Sequence, residues 1–216
     1  MDNNFKMVAK TLFGMEELLA QELRQLGGSD IELGTRMVSF RGDKGFMYKA
    51  NLCCRTAIKV LKPITAFNVF KEEDLYKKVY DIRWEDYMDV DGSLAVNATV
   101  FSDYFTHSQY IALKTKDAVV DRFRDKEGRR PDVDLDHPTL RINVHIDRNI
   151  CTISLDSSGE SLHKRGYKVA NTIAPMSEVL AAGLIMQSGW NGQCDFLDPM
   201  CGSGTILTEA AMIACR

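Results

Sequence analysis

Two positions without side chains stand two residues apart behind an acid in Asp198-Pro199-Met200-Cys201-Gly202-Ser203-Gly204, and this is the stretch best suited to hold a ligand. An apolar run, Gln193–Leu197, precedes it, and the helix-forming TILTEAAMIACR follows it. The expected local structure is strand, turn, helix. In an open α/β sheet, ligands bind beyond the carboxyl ends of the strands. Gly202 and Gly204 let the backbone turn tightly and let a ligand approach it, while the next helix offers unpaired N–H groups at its start. A nucleoside triphosphate loop requires Lys after the last glycine, and none follows Gly204. A dinucleotide fingerprint requires a third Gly or Ala where Leu207 stands. Asp198 would repel a pyrophosphate but suits an ammonium such as that of a methionine moiety, directly or through water. A joint between strand and helix that binds nothing is the alternative.

The elements that must position this turn can be read upstream. Residues 5–11 alternate as a strand, and 15–26 follow as a helix with Leu19, Leu23 and Leu26 on one face and Gly27-Gly28 as its stop. Short strands near 29–33 and 36–41, a helix capped by Asp43 through about Cys54, and a β-rich 55–67 with an edge or bend at Pro63 complete a strand–helix–strand–strand–helix–strand order. That is the order of a ferredoxin-like unit over 1–65. In 66–158 the spacing predicts a helix at 71–80 and a strand at 93–101. A helix capped by Ser108 follows, with Leu113, Val120 and Phe123 on its buried face. Two strands turning at Asp147-Arg148-Asn149 end this part. Residues 159–216 begin as a polar linker. Pro175 then sits in the first turn of a helix over MSEVLAAGLIMQSG.

The full string DPMCGSGT with EAAMIA, at 198–214, resembles the cofactor-binding first motif of class I methyltransferases. More narrowly it is similar to the bacterial large-subunit rRNA guanine-N2 methyltransferases, a family also described as N6-adenine-specific methylases. HKRGYKV at 163–169 and APMSEVLAAGLI at 174–185 resemble the same family, and the resemblance covers essentially the whole chain. It implies an α+β layout of a ferredoxin-like domain (1–65) and an RNA-binding THUMP domain (66–158). The start of an α/β Rossmann-like methyltransferase domain (159–216) would follow. It implies S-adenosylmethionine as cofactor, held by Asp198, Pro199, Met200, Cys201, Gly202, Ser203 and Gly204, with Pro175, Ser177 and Glu178 closing the pocket. Glu178 reads equally well as a first-turn acid favoured by the helix dipole. The implied reaction is methyl transfer to an exocyclic base nitrogen, guanine N2 of 23S rRNA, with tRNA guanine N2 the alternative.

Residues 107–130 hold seven basic side chains against four acids. Charge alone favours a solvated helix laced with ion pairs. SQYIALKTKDAVVDRF at 108–123 resembles the THUMP helix of the family, and with that resemblance Lys114, Lys116, Arg122, Arg129 and Arg130 become the expected phosphate contacts. Arg124 and Lys126 stay assigned to solvent. Tyr104, Phe105 and His107 stand where they can stack on unpaired bases. His145, alternating in a strand, reads as a packed core histidine.

Net charge is −3, distributed as +3 over 1–65, −6 over 66–160 and zero beyond, so any RNA footprint is a local patch. Six cysteines form no CxxC pair and share no ligand spacing with the four histidines, which disfavours zinc. Reduced thiols and the lack of a signal core or an eighteen-residue apolar run point to a cytoplasmic protein off the membrane. An Asn/Asp-Pro-Pro-aromatic loop, expected of such a methyltransferase, is not in the sequence; the single Asp-Pro is Asp198-Pro199. The catalytic residues are therefore expected downstream of Arg216, the chain is expected to be a fragment that does not catalyse, and the apolar side chains of 179–197 are expected to lack partners. An RNA-binding module without methylation, a DNA adenine methyltransferase and a structural joint are the rival readings.

Overall fold

Alternation and helical periodicity place most elements of the chain, and the computed structural model, which describes residues 4–168 and 175–215, bears this out. The chain forms two units. One comprises Met1–Val60 and Glu160–Arg216; the other is Leu61–Gly159.

The first unit opens with β1 (Phe5–Lys10), α1 (Glu16–Leu26), β2 (Ser29–Gly34), β3 (Met37–Gly42), α2 (Lys44–Cys53) and the start of β4 (Lys59–Asn68). The strand order is β2-β3-β1-β4, with β1 and β2 antiparallel to β3, as a ferredoxin-like unit requires. Gly27 ends α1 at φ 101°, a left-handed conformation that costs glycine least. The Asp43 carboxylate accepts from the Phe46 N–H at 2.7 Å and caps α2 as expected. Met7, Leu19, Leu23, Val38, Phe40 and Val60 form the core, and Leu162 packs on it.

Two helices complete this unit: α5 (Glu178–Gln187) and α6 (Thr205–Ala214). Pro175 lies ahead of the first turn, because Ser177 is the N-cap of α5. Within α5, Val179 and Ile185 are not short of partners: both are buried, the helix packs on α1 and α6, and the Met15 side chain lies on Gly183, whereas Leu184 is exposed as expected. The Phe196 ring meets that of Trp190 edge-on at 4.9 Å, while Leu197 is exposed. Gln193–Leu197 is not a strand, since no described strand offers it a ladder. Val169 and Ala174 lie outside the described residues.

The second unit contains the rest of β4, α3 (Glu72–Tyr80), a 3-10 turn at Trp84–Asp86, β5 (Ser93–Phe101), α4 (Ser108–Glu127), β6 (Asp132–Val133), β7 (Leu140–Asp147) and β8 (Ile150–Asp156). Its strand order is β4-β8-β7-β5-β6, with β5 parallel to β6 and β7 across the α4 crossover. Pro63 has no N–H to give a ladder, and the β4–β8 register shifts between Pro63 and Thr65. In β7, Leu140, Ile142, Val144 and Ile146 face the core. His145 therefore faces the other way, half-buried with its ring against Phe101, and is not a core residue. His107, not Ser108, is the N-cap of α4, and it makes no side-chain cap bond. The buried stripe of α4 runs through Ile111, Thr115, Ala118, Val119, Arg122 and Phe123, with Val120; Leu113 is 50% exposed, one position off that stripe.

Candidate cofactor turn and nucleic-acid interface

Asp198 turns its carboxylate back on its own loop: Oδ1 accepts from the Met200 N–H at 3.0 Å. The Gly204 N–H then donates to the Cys201 carbonyl at 2.7 Å, closing the turn. Gly202 (φ 53°) and Gly204 (φ 73°) both take the left-handed conformation, and a Cβ built on either meets nothing within 4 Å. This backbone favours glycine at both positions, and they face open space that a ligand can enter. Gly204 is the N-cap of α6, whose first N–H groups face the same end. Met200 and Cys201 are exposed. This cradle fits a nucleoside with a cationic amino-acid tail better than a phosphate: besides the helix start it offers one carboxylate and no cation.

Among the described residues, no hydrogen bond or ion pair joins Pro175, Ser177 or Glu178 to 198–204. Pro175 is exposed. Glu178 is buried and pairs with Lys168 at 3.0 Å, and Lys168 Nζ also donates to the Met176 carbonyl at 2.9 Å.

Behind the turn lies a residue to which the sequence reading gave no role. Glu209 is fully buried one turn into α6. Arg55 Nη1 donates to its Oε2 at 3.0 Å, the Tyr167 hydroxyl donates to its Oε1 at 3.0 Å, and Arg165 Nε lies 3.5 Å from Oε1. Arg55 also donates to the Met212 carbonyl, and Arg165 to the Arg55 carbonyl. Burial, then the Glu209 charge, pushes the Tyr167 phenol above its ordinary range. One carboxylate thereby joins the HKRGY segment, the α2–β4 corner and the motif helix. The signal was present as one acid inside the apolar run TILTEAAMIA.

The expected RNA contacts divide. Lys114 lies over the Tyr76 ring, with Nζ 5.3 Å from its centroid. Lys116 pairs with Asp117, Arg129 with Asp91 at 2.8 Å, and Arg130 stands 3.7 Å from Asp121. These four remain accessible. Arg122 does not: only 8% exposed, it forks onto the Glu85 carboxylate and donates to the Tyr80 carbonyl, so its guanidinium holds the 3-10 turn to α4. Phe105 is likewise buried, whereas Tyr104 is exposed. Hydrogen bonding from Arg122 holds the Glu85 carboxyl down at about 2. A depressed carboxyl contributes stability above its unfolded value of about 4.3 that is lost as pH falls towards its folded value. The stability of the second unit should therefore fall between about pH 4.5 and 2, and Glu85→Gln should flatten that slope in acid titrations followed by circular dichroism. An unchanged slope would show that Glu85 does not report this pair.

Among the described residues, no three His, Cys, Asp or Glu are grouped to hold a metal, and no helix is long and apolar enough to cross a membrane.

A ferredoxin-like fold followed by a second α+β unit and a glycine turn defines a class of multidomain chain. The domain comparisons bear this out: residues 6–61 match the RlmL ferredoxin-like domain, 70–156 the THUMP domain, and 165–216 the RMKL-like methyltransferase domain. Among individual proteins, the chain is 43% identical over 218 residues to the ribosomal RNA large subunit methyltransferase K/L of Syntrophotalea carbinolica, covering 99% of this chain and 30% of that one. A Listeria monocytogenes structure described as a predicted N6-adenine-specific DNA methylase matches with TM-score 0.85 and 31% identity over 98% of this chain and 55% of that one. The structure of SMU.472 in complex with SAH matches with TM-score 0.85 and 31% identity, over 99% and 56%. The chain thus spans 30% of the curated relative and 55–56% of the two solved structures.

Proposed function

We propose that the chain is the RNA-binding and cofactor-turn portion of an S-adenosylmethionine-dependent RNA methyltransferase of the cytoplasm, acting on guanine N2 of 23S rRNA. In this reading the division is 1–65, 66–158 and 159–216. The observation that carries it is the glycine turn: two left-handed glycines facing open space behind a carboxylate, following a THUMP match in one chain. S-adenosylmethionine supplies an electrophilic methyl group when bound. The chain's own part is to seat it. Asp198 keeps one oxygen for the loop and presents the other to the ammonium, and Gly202, Ser203 and Gly204 bring bare backbone against the nucleoside. Lys114, Lys116, Arg129 and Arg130 set the register on phosphates without reading sequence.

Gly204→Val should weaken S-adenosylmethionine binding at least tenfold in calorimetry on the whole protein, since a β-branched residue at φ 73° costs roughly 1–2 kcal/mol in the turn and fills the approach. Asp198→Ala should add to that loss. Full affinity in the double variant would sink the assignment. The Listeria relative supports a DNA adenine reading; filter binding to structured RNA and duplex DNA at matched salt separates the two, and tighter binding to DNA would favour it.

A further inference from the structure

The second unit carries a cleft that the cofactor turn does not use. It has a volume of about 310 Å³, within the range of about 300–1,000 Å³ typical of small-molecule sites, and is lined by Glu72, Tyr104, Phe105, Thr106, His107, Tyr110 and Ile111. Phe105 and Ile111 are buried and form its floor. Tyr104 and Tyr110 are exposed, and the exposed Phe70 ring stands edge-on to Tyr104 at 5.5 Å. Large aromatic faces left in water at one place mark a binding surface.

Both rims are fixed by the turn between β7 and β8. The Val69 N–H, next to Phe70, donates to the Asn149 carbonyl at 2.8 Å. On the other side the Arg148 N–H donates to the Phe101 carbonyl at 2.6 Å. Ser102 Oγ donates to the Arg148 carbonyl and accepts from the Tyr104 N–H at 3.1 Å. The backbone next to Phe70 and that of Tyr104 are therefore tied to one turn before any ligand arrives, which lowers the ordering cost of binding.

Glu72, in the first turn of α3, is the one carboxylate among the residues that line the cleft, and Tyr110 lines it too. A carboxylate is a pure acceptor with room for several donors. It repels a phosphate and welcomes a flat group that carries adjacent N–H donors. Among the bases, guanine presents N1–H and the N2 amino group side by side on its Watson–Crick edge. Adenine, cytosine and uracil have no such pair of donors. Single-stranded RNA is read in this way, by bases splayed out onto aromatic side chains and bonded along that edge.

We propose that this cleft captures one unstacked guanine of the RNA, stacked on Tyr104 and Tyr110 and bonded by its N1–H and N2 amino group to Glu72. The inference rests on the RNA-binding reading above, and the captured base is distinct from the base to be methylated.

The test measures binding of the chain to short uridine oligomers with a central guanosine, inosine or adenosine, by fluorescence anisotropy at low salt, beside a structured RNA. Guanosine should bind about tenfold more tightly than inosine, which lacks the N2 amino group. Glu72→Gln should erase that ratio, and Tyr104→Ala should weaken all three oligomers about tenfold through lost stacking. A guanosine–inosine ratio that survives Glu72→Gln overturns the proposal. So does equal binding of all three oligomers while structured RNA still binds, an outcome that leaves the RNA reading intact. Failure to bind either the oligomers or the structured RNA overturns both.

Discussion

Replacing Glu209 by alanine will lower the thermal midpoint of the first unit by on the order of 10 °C. The substitution leaves two guanidinium groups, Arg55 and Arg165, nearly buried without their shared carboxylate, since their side chains are only 13% and 15% exposed. Removing one partner of a buried pair costs about 3–5 kcal/mol, and the small remaining exposure of both arginines argues for the lower end. Tyr167 loses its acceptor as well. Glu209→Gln keeps the shape and one acceptor oxygen, so about half the loss is expected. The unit carries its own reporter, because Trp190 lies in the first unit and Trp84 in the second. A Trp84→Phe background followed by fluorescence isolates the first unit. If Glu209→Ala melts at the parent temperature there, the carboxylate is not what joins these segments.

Trp84→Ala is expected to cost the second unit about 4 kcal/mol, the usual loss for a buried aromatic. Trp84 is fully buried in a core with Leu75, Val79, Ile142 and Phe123, and its Nε1–H donates to the Val79 carbonyl at 2.8 Å. The indole both fills the space under the 3-10 turn and satisfies the end of α3. Trp84→Phe should cost less, keeping most of the volume while leaving the Val79 carbonyl with the Ile82 N–H, at 3.2 Å, as its remaining donor. Urea unfolding followed by circular dichroism checks both; a loss below about 1 kcal/mol for Trp84→Ala would mean that the core closes over the gap.

How far the sequence foretold this structure depended on where the governing contact lay. Local signals are reliable: Asp43 caps α2, Gly27 ends α1, the chain turns at Asp147-Arg148-Asn149, and Pro63 interrupts the β4–β8 register although β4 is not an edge strand. The glycine turn is legible for the same reason, because left-handed positions favour glycine. Expectations that needed a distant partner were weaker. Gln193–Leu197 has strand composition but no neighbouring strand to pair with. Arg122 counts as a surface cation in a charge tally, yet Glu85, distant in sequence, claims it. Leu113 falls on the wet side of α4 because Ile111 and Thr115 define the buried stripe. Glu209 and Glu72 gain their meaning only from side chains that folding brings to them.

The division of the first unit into Met1–Val60 and Glu160–Arg216 also orders events on the ribosome. Arg55 and Glu209 are 154 positions apart in sequence. At about 5–20 residues per second, translation delivers the carboxylate roughly 8–30 s after the arginine. Leu61–Gly159 is synthesised whole in that interval, so of these two units the one begun first is closed second.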